Sequence, residues 1–274
     1  MNWYVSQSRS AAVEVAKYLH EISGLTVKIF NARKEFKKAP SGVEYIPVQE
    51  LAEYLWRYKP VFHIAWRHSV RLTHAPSFVW SHDLFTPGSE KLDFDKLLCL
   101  TEFHKHYVQT LQKIPDDKIN VFRNGIDPKL WQYSVTGKPT KNPYKVIFSS
   151  SPDRGMDRVI RIVKRAREIS GLDLELHLFY GFDNMRKSGM GAVADKFEAM
   201  INENKAFVKY HGNVNKQTLI DHFMESAVWL YPANFIETFC ITALESLASK
   251  CYPMVRRMGA LNNTLHDAET KGHC

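Results

Sequence analysis

Residues 227–255 limit the fold of this chain more than any other stretch. They begin with an apolar run of strand length, residues 227–231, and pass through a short polar loop into a helical pattern over residues 241–248. In that pattern apolar side chains recur at three- and four-residue spacing. Pro253 and its two predecessors end the helix, and a second apolar run begins at Met254. The order strand, loop, helix, strand predicts one unit of an open α/β sheet.

The same alternation runs along most of the chain. We expect further strands at residues 3–5, 25–30, 61–66, 77–80, 97–100, 118–122, 145–149, 174–180 and 207–211. We expect further helices at residues 11–20, 48–58, 101–110, 156–169 and 219–225. The runs at residues 61–66 and 77–80 are mainly apolar and of strand length, as in parallel strands that are covered on both faces. The pattern therefore favours an α/β fold with parallel sheets.

Composition narrows the class of protein. A chain of 274 residues, 45% hydrophobic and 24% charged, can bury a large core and is expected to form two domains. No apolar run is long enough to span a bilayer, and the N-terminus lacks the layout of a signal peptide. The four cysteines form no CxxC pair, which favours reduced thiols in a cytosol-like compartment. The net charge of +8 suits an anionic ligand, a nucleic acid or an anionic membrane surface, and equally a soluble protein that is merely basic.

Two carboxylates flank the start of the helix at residues 241–248. Glu237 lies in the loop at the carboxyl end of a strand, where ligands bind in open α/β sheets, and Glu245 lies about one turn into the helix. The backbone amides of residues 238–241 are expected to lie at the helix start and to attract an anion. A carboxylate on each side of an anion site suits a ligand with phosphate and hydroxyl groups, such as a nucleotide sugar. The plain alternative is an amphipathic helix with two structural glutamates.

This segment resembles the E-x7-E element of retaining GT-B glycosyltransferases, family 4 in particular. The matching residues are Glu237, Phe239, Ile241, Glu245, Ala248 and Pro253. Two positions depart from the family pattern, because Cys240 and Lys250 stand where glycine is common. Cysteine is still small, so the close approach of a diphosphate stays compatible with the sequence.

Three further elements resemble the family in the same order along the chain. His82 follows an apolar run, like the family's N-domain histidine that faces the transferred sugar. Residues 124–127, Asn-Gly-Ile-Asp, resemble the N-G-[VI]-D element that closes the first domain. Arg154 and Gly155 stand at the Lys-Gly position of the phosphate-binding loop, and serines replace that loop's earlier arginine. Thr101, as an N-cap, opens a strand-to-helix turn similar to the family's S-E-F.

Residues 93–95, Asp-Phe-Asp, spell the DxD motif of the other major glycosyltransferase fold. In that fold the motif binds a metal–nucleotide complex and follows a strand. Here it precedes a strand, so we interpret it as a chance match.

The resemblance implies two Rossmann-like domains whose parallel sheets face a cleft. The expected boundaries are residues 1–131 for an acceptor-side domain, 132–144 for a polar linker, and 145–274 for the nucleotide-sugar-binding domain. Family members usually continue further, with a helix that crosses back to the first domain. The chain is therefore expected to be a shortened member.

The resemblance also assigns candidate site residues. The catalytic candidates are His82, Arg154 and Glu237. The donor-binding candidates are Ser151, Gly155, Tyr180, Gly181, Asn213, Val214, Thr238, Phe239, Cys240, Ile241 and Glu245. The acceptor-side candidates are Ser8, Arg9 and Ser10, in a loop that is glycine-rich in the family and has no glycine here.

The implied reaction is the transfer of a hexosyl group from a UDP- or GDP-linked sugar, with retention, to a glycan, lipid or small-molecule acceptor. Arg154 would stabilise the leaving phosphate, Glu237 would hold sugar hydroxyls and Glu245 would take the ribose hydroxyls. No metal or other cofactor is expected. The expected location is the cytoplasm, and contact with the cytoplasmic face of a membrane stays open.

Three rival interpretations stand beside this one. The short C-terminus favours a non-catalytic or truncated GT-B subunit. A nucleotide-sugar epimerase of GT-B fold would share the donor site but would need further acid/base carboxylates. A nucleic-acid-binding protein would need aromatic residues among the basic ones. The basic helix at residues 156–169 contains none, so its charge run is expected to be mostly a solvated helix face and no nucleic-acid partner is expected.

Overall fold

The computed structural model describes residues 8–72, 74–131 and 140–270. The chain divides into two compact units, Met1–Asn124 and Gly125–Cys274. Each unit is an α/β structure and is described by itself. Among the described residues, no helix combines the length and the apolar character that crossing a membrane requires.

The described residues of the first unit form two sheets and three α-helices. Its helices are α1 Ser8–Ser23, α2 Leu51–Arg57 and α3 Glu102–Gln112. Its strands are β1 Lys28–Asn31, β2 Lys37–Lys38, β3 Glu44–Pro47, β4 His63–Trp66, β5 Ser77–Trp80, β6 Lys96–Cys99 and β7 Ile119–Val121. One sheet has the order β1-β3-β2, with β1 and β3 parallel; the other has the order β4-β5-β6-β7 and is parallel throughout.

The all-parallel sheet of the first unit carries that unit's main core. Val79 on β5 and Leu97 on β6 are fully buried and pack with Phe94 and with Val108 of α3. Helix α3 begins as predicted, because the Thr101 hydroxyl accepts a hydrogen bond from the backbone amide of His104. The apolar runs at residues 77–80 and 97–100 thus form buried strands for the reason that the sequence indicates.

In the second unit, residues 125–131 and 140–270 are described, and their strands form one five-stranded parallel sheet with helical crossovers. Its strands are β8 Asn142–Phe148, β9 Glu175–Phe179, β10 Val208–Gly212, β11 Ser226–Tyr231 and β12 Tyr252–Val255. Its helices are α4 Met156–Ser170, α5 Asp183–Lys187, α6 Gly191–Glu203, α7 Lys216–Glu225, α8 Ile241–Ala248 and α9 Leu261–Thr270. The strand order is β10-β9-β8-β11-β12, so the direction of winding reverses between β8 and β11. This is the doubly wound arrangement of a Rossmann-like domain.

Helix α4 shows how burial follows the sequence pattern. Met156, Val159, Ile160 and Val163 recur at helical spacing and are buried against the sheet. The basic residues on the other side, Arg161, Lys164 and Arg165, are exposed. The prediction that this charge run is a solvated helix face is confirmed.

Some elements differ from the sequence prediction. Strand β3 and helices α5 and α6 were not predicted. Strand β3 is short and ends in a proline, and α5 is a single short helix, so neither gives a strong periodic signal. The strand predicted at residues 3–5 lies outside the described residues.

The structure of the stretch between the predicted domains also differs from the sequence prediction. Strand β8 begins at Asn142, inside the predicted linker, and residues 132–139 lie outside the described part. Trp131, placed by sequence in the first domain, is buried in the core of the second unit, where its ring lies 6.2 Å from that of Phe223. A tryptophan next to a polar segment gives no local sign of which core it will join.

Candidate functional site

The carboxyl ends of β8 and β11 mark the candidate site in the second unit. These neighbouring strands flank the point where the sheet reverses its winding, and a crevice forms at such a point in open α/β sheets. The loop after β8 carries Arg154 and Gly155, and the loop after β11 carries Glu237. Sheet topology therefore brings together residues that are more than eighty positions apart in the sequence.

Glu237 is held by two hydrogen bonds to one oxygen. The Arg154 guanidinium donates to Oε1 at 3.2 Å, and the Tyr231 hydroxyl donates to the same atom at 2.5 Å. The glutamate is 6% exposed, so its charge is stabilised by these two donors in place of bulk water. The Arg154 guanidinium also lies 4.2 Å from the ring centre of Phe235.

The electrostatics of this group follow from burial and from the carboxylate. Burial alone would lower the pKa of Arg154, but the charge of Glu237 and the contact with Tyr231 outweigh it and raise that pKa. Burial raises the pKa of Tyr231, and the neighbouring Glu237 charge raises it further. Arg154 therefore stays cationic and Tyr231 stays a neutral donor. The Arg154 side chain is still 36% exposed, which leaves part of the guanidinium open to a ligand.

Gly155 allows the loops after β8 and β11 to touch. Its φ is +117°, and a Cβ there would lie 3.0 Å from the carbonyl oxygen of Pro232. A short 3-10 turn, Pro152–Arg154, precedes it, and the Ser151 hydroxyl donates to the Asp153 carboxylate at the start of this turn. The sequence predicted a Gly-containing loop here, and the structure adds the turn that presents Arg154.

Helix α8 begins one residue after a left-handed position. Cys240 is the N-cap and has φ +70°, and Ile241 is the first helical residue. The side chains of Thr238 and Phe239 are buried, and the Phe239 carbonyl accepts a hydrogen bond from the hydroxyl of Thr264. Lys250, at the other end of the helix, has φ +56°. Cys240 and Lys250 are the two positions where the family commonly has glycine, and the left-handed backbone gives the physical reason.

Glu245 has one oxygen paired and one unpaired. It is 2% exposed, and its Oε1 forms an ion pair with the Lys216 ammonium, which lies at the start of α7. Its Oε2 is buried without a hydrogen-bond partner among the described residues. The Lys216 ammonium also lies 5.5 Å from the ring centre of Trp131. A buried carboxylate oxygen without a donor costs about 1–3 kcal/mol, so it indicates a position where a ligand can donate.

The loops after β9 and β10 are joined to each other. The Gly181 amide donates to Asn213 Oδ1 at 2.9 Å, and a Cβ on Gly181 would lie 2.5 Å from Asn213 Nδ2. Tyr180 has φ +119°, and its carbonyl accepts a hydrogen bond from the Tyr210 hydroxyl at 3.1 Å. Val214 packs against the core of the unit. The side chain of Asn213 is therefore engaged with backbone, which leaves Tyr180 as the strained residue of this group.

In the first unit, His82 is a buried and neutral imidazole. Its ring lies 4.7 Å from that of Trp80 and 5.7 Å from that of Trp66. Burial, together with the smaller effects of Arg67 and His104, lowers the pKa of His82 to about 3. It follows β5 directly, as predicted, and at neutral pH it cannot act as a cation.

The structure says less about the remaining candidates from the sequence. Ser8, Arg9 and Ser10 form the first residues of α1, and their side chains lie outside the described part of the structure. Asp93 and Asp95 both pair with Arg71, and Asp95 also accepts from the Ser77 amide at 2.7 Å. The DxD sequence thus joins loop to strand, in agreement with its interpretation as a chance match.

Sequence reasoning missed three residues of this site. Tyr231 was treated as the end of a strand, Lys216 lay outside the helix predicted at residues 219–225, and Gly259 was not among the candidates. Gly259 forms a parallel bridge with Glu237, and the next amide, that of Ala260, donates to the Glu237 carbonyl at 2.7 Å. The glycine itself was a signal, since it lies in the loop after the last strand, where a residue without Cβ permits a close backbone approach.

The sequence matches no protein-family model and no curated protein. Solved structures resemble the chain in fold. Sucrose-phosphate synthase from Thermosynechococcus elongatus gives a TM-score of 0.75 at 14% identity, over 97% of this chain and 79% of that one. A glycosyltransferase from Rickettsia africae gives a TM-score of 0.70 at 16% identity, over 91% of this chain and 76% of that one.

A third structure, that of HepE from Anabaena in complex with UDP and glucose, gives a TM-score of 0.66 at 12% identity, over 100% of this chain and 89% of that one. Identities this low establish similarity of fold alone. Parallel sheets with helical crossovers in both units agree with that similarity. The chain has the α/β GT-B fold found in glycosyltransferases.

Proposed function

We propose that this chain transfers a hexosyl group from a nucleoside diphosphate sugar to a carbohydrate or lipid-linked acceptor, with retention of the anomeric configuration. The observation that carries the proposal is Glu245, which is buried on α8 and whose Oε2 has no donor among the described residues. Ribose hydroxyls of a nucleotide would supply that donor. In the absence of ligand, Lys216 pairs with the other oxygen.

The Arg154–Glu237 pair gives the proposed reaction centre its charge pattern. Glu237 uses Oε1 for its two protein donors, so Oε2 is the oxygen that we assign to sugar hydroxyls. A guanidinium has five N–H donors, and the contact of Nη1 with Glu237 leaves others for the leaving diphosphate. The start of α8 adds the positive end of a helix dipole.

These groups suit a transition state with positive charge on the sugar and negative charge on the leaving phosphate. Preorganised donors aimed at the developing charge are a large term in such catalysis. We propose that Arg154 and the α8 amides take the place of a divalent ion, and that the leaving phosphate accepts the proton of the acceptor hydroxyl. His82 is proposed as a sugar contact on the strength of the sequence resemblance.

The donor is proposed to carry uracil or guanine. HepE, one of the similar structures, was solved with UDP and glucose, which makes UDP the first nucleotide to test. Calorimetric titration of the purified chain with UDP, GDP, UDP-glucose and GDP-mannose is expected to show saturable binding of one base.

The decisive variant is Glu245→Gln, which keeps the volume of the side chain and replaces one acceptor oxygen with a donor. It is expected to weaken nucleotide binding about tenfold or more, since a hydrogen bond to a charged group contributes about 1.5–3 kcal/mol. Glu203→Gln, on the exposed end of α6, is the matched control. If the folded chain binds no nucleotide, or if the two variants bind equally well, the donor site is wrong.

Retention and metal independence need separate tests. Proton NMR of the product is expected to show the anomeric configuration of the donor, and the rate is expected to be unchanged by EDTA. An inverted product would reject the retaining mechanism and leave the donor site intact. Loss of activity in EDTA that Mg²⁺ restores would reject the proposal that Arg154 and the helix start replace a metal.

A further inference from the structure

Three histidines from separate elements of the second unit converge, and none of them contacts Glu237 or Glu245 in the hydrogen bonds described above. His177 lies on β9, His211 on β10 and His222 on α7. One ring nitrogen of each lies within 4.8 Å of the others, and in the described part of the chain this is the group of side chains suited to a metal ion. We propose that His177, His211 and His222 form a site for a divalent transition-metal ion of the zinc class.

A β-bulge positions one of the ligands. Strands β9 and β10 pair in register up to Tyr210 and then shift, so that the chain has one extra residue at His211. The ring of His211 stacks on Phe179 with 4.5 Å between ring centres and 4° between planes. Its Nε2 lies 3.0 Å from His177 Nδ1. In tetrahedral zinc sites the ligand nitrogens lie about 3.3 Å apart, given Zn–N bonds of about 2.0 Å.

The protonation states suit metal binding at neutral pH. Burial lowers the pKa of all three histidines, that of His211 to about 4, and the charge of Lys145 adds to the effect. The rings are therefore neutral and can offer lone pairs. His177 Nε2 lies 3.5 Å from a carboxylate oxygen of Glu175, the type of outer partner that orients metal-bound histidines.

Metal binding then requires a tautomer shift and no net loss of protons. With the His177 proton on Nε2, facing Glu175, its Nδ1 is free to ligate. His211 moves its proton from Nε2 to Nδ1 so that Nε2 can also ligate. Lys145 opposes the ion, since its ammonium lies 2.8 Å from His222 Nδ1, but it also lies 2.7 Å from Glu225, which balances its charge. Coordination by His222 displaces the Lys145 hydrogen bond and leaves the ammonium with Glu225.

Imidazole nitrogens and the absence of a carboxylate ligand favour zinc, cobalt, nickel or copper over magnesium or calcium. The ion would tie the edge strand β10 and helix α7 to β9. It is proposed as a structural site, separate from the sugar-transfer chemistry, and it stands whether or not the chain binds a nucleotide.

The test uses the untagged chain after treatment with a chelator. Titration with Co²⁺, followed by visible absorption, and with Zn²⁺, by competition with a chromophoric chelator, is expected to show one ion per chain and a raised melting temperature. Mg²⁺ is expected to give neither. Because His177 is buried within the sheet, the variants are made at the half-buried His211 and His222.

His211→Ala and His222→Ala, each checked for folding by circular dichroism, are expected to weaken Zn²⁺ binding at least about tenfold. His106→Ala, which removes an exposed histidine from α3, is the control and is expected to bind as the wild type does. The proposal is overturned if the folded wild-type chain binds no Zn²⁺ or Co²⁺ at a one-to-one ratio. It is equally overturned if both cluster variants retain wild-type affinity.

Discussion

Gly259 lies directly against the backbone of Glu237. A Cβ on Gly259 would stand 2.4 Å from the Glu237 carbonyl oxygen and 2.8 Å from its amide nitrogen, and the φ of Gly259 is +63°. The loop after β12 therefore fixes the backbone of the glutamate that Arg154 and Tyr231 fix through its side chain. Glu237 is therefore positioned from two sides, through its backbone by Gly259 and through its side chain by Arg154 and the nearby Tyr231.

Gly259→Ala is expected to destabilise the chain and to displace Glu237. The left-handed φ alone costs about 1–2 kcal/mol for alanine, and the clash with backbone adds a further cost of about 1–3 kcal/mol. Gly171→Ala is the matched control, because its φ is +68° and nothing lies within 4 Å of its added Cβ. Urea unfolding measures both variants. Equal losses of unfolding free energy in the two variants would show that the Glu237 backbone shifts at little cost to make room for the added methyl group.

Lys250→Gly is expected to stabilise the chain. Lys250 has φ +56° and an exposed side chain, so the substitution removes strain and little packing. The expected gain is about 0.5–1 kcal/mol, the strain relieved less the added entropy of the unfolded chain. Lys250→Ala removes the same side chain but keeps Cβ, and no gain is expected from it. A glycine variant no more stable than the alanine variant would contradict this account.

Lys216→Met is expected to destabilise the second unit by about 1–2 kcal/mol, because it leaves the buried Glu245 carboxylate without its cation. The estimate is reduced because the Lys216 side chain is 49% exposed. The double variant Lys216→Met/Glu245→Gln is expected to lose less than the sum of the single losses. Additive losses in urea unfolding would show that the ion pair contributes nothing.

Stability is expected to fall as the pH drops from about 6.5 to about 4, in part through His104. The Leu100 amide donates to His104 Nδ1 at 3.2 Å, and Nε2–H donates to the Asp83 carbonyl at 2.9 Å. Burial lowers the pKa of this ring to about 4 from 6.5, and the Asp83 hydrogen bond only partly offsets the effect. Between these values the unfolded chain binds more protons, so acid favours unfolding.

Urea unfolding between pH 7.5 and 4.5 tests this dependence. The His104→Asn variant is expected to be less stable throughout but to lose stability less steeply with acid. His106→Asn controls for the loss of an imidazole from the same helix. A wild-type slope in His104→Asn would assign the acid sensitivity to other groups.

Tyr231→Phe is expected to lower kcat/KM of the proposed transfer about tenfold. The substitution removes one of the two donors to Glu237 Oε1, and a hydrogen bond to a charged group contributes about 1.5–3 kcal/mol. Tyr252→Phe, which removes a phenol that is 66% exposed on the edge strand β12, is the control. Unchanged kinetics in Tyr231→Phe would show that Arg154 alone is enough to hold the Glu237 carboxylate in position.

The sequence by itself determined the order of most elements and named candidate residues for the site. Apolar runs predicted β5, β6, β9 and β11, and the periodicity of residues 156–169 predicted α4 with its exposed basic face. The N-cap at Thr101 was also predicted correctly. These features depend on neighbours within a few positions, and local backbone geometry is largely set by such neighbours.

Tertiary structure alone decided which side chains meet. The pairing of Arg154 with Glu237, of Lys216 with Glu245 and of Gly259 with the Glu237 backbone depends on the order β10-β9-β8-β11-β12. The three-histidine group depends in addition on a bulge in the edge strand. Strand order and register are set by the packing of the whole sheet, and contacts between residues far apart in the chain leave no periodic trace in a single sequence.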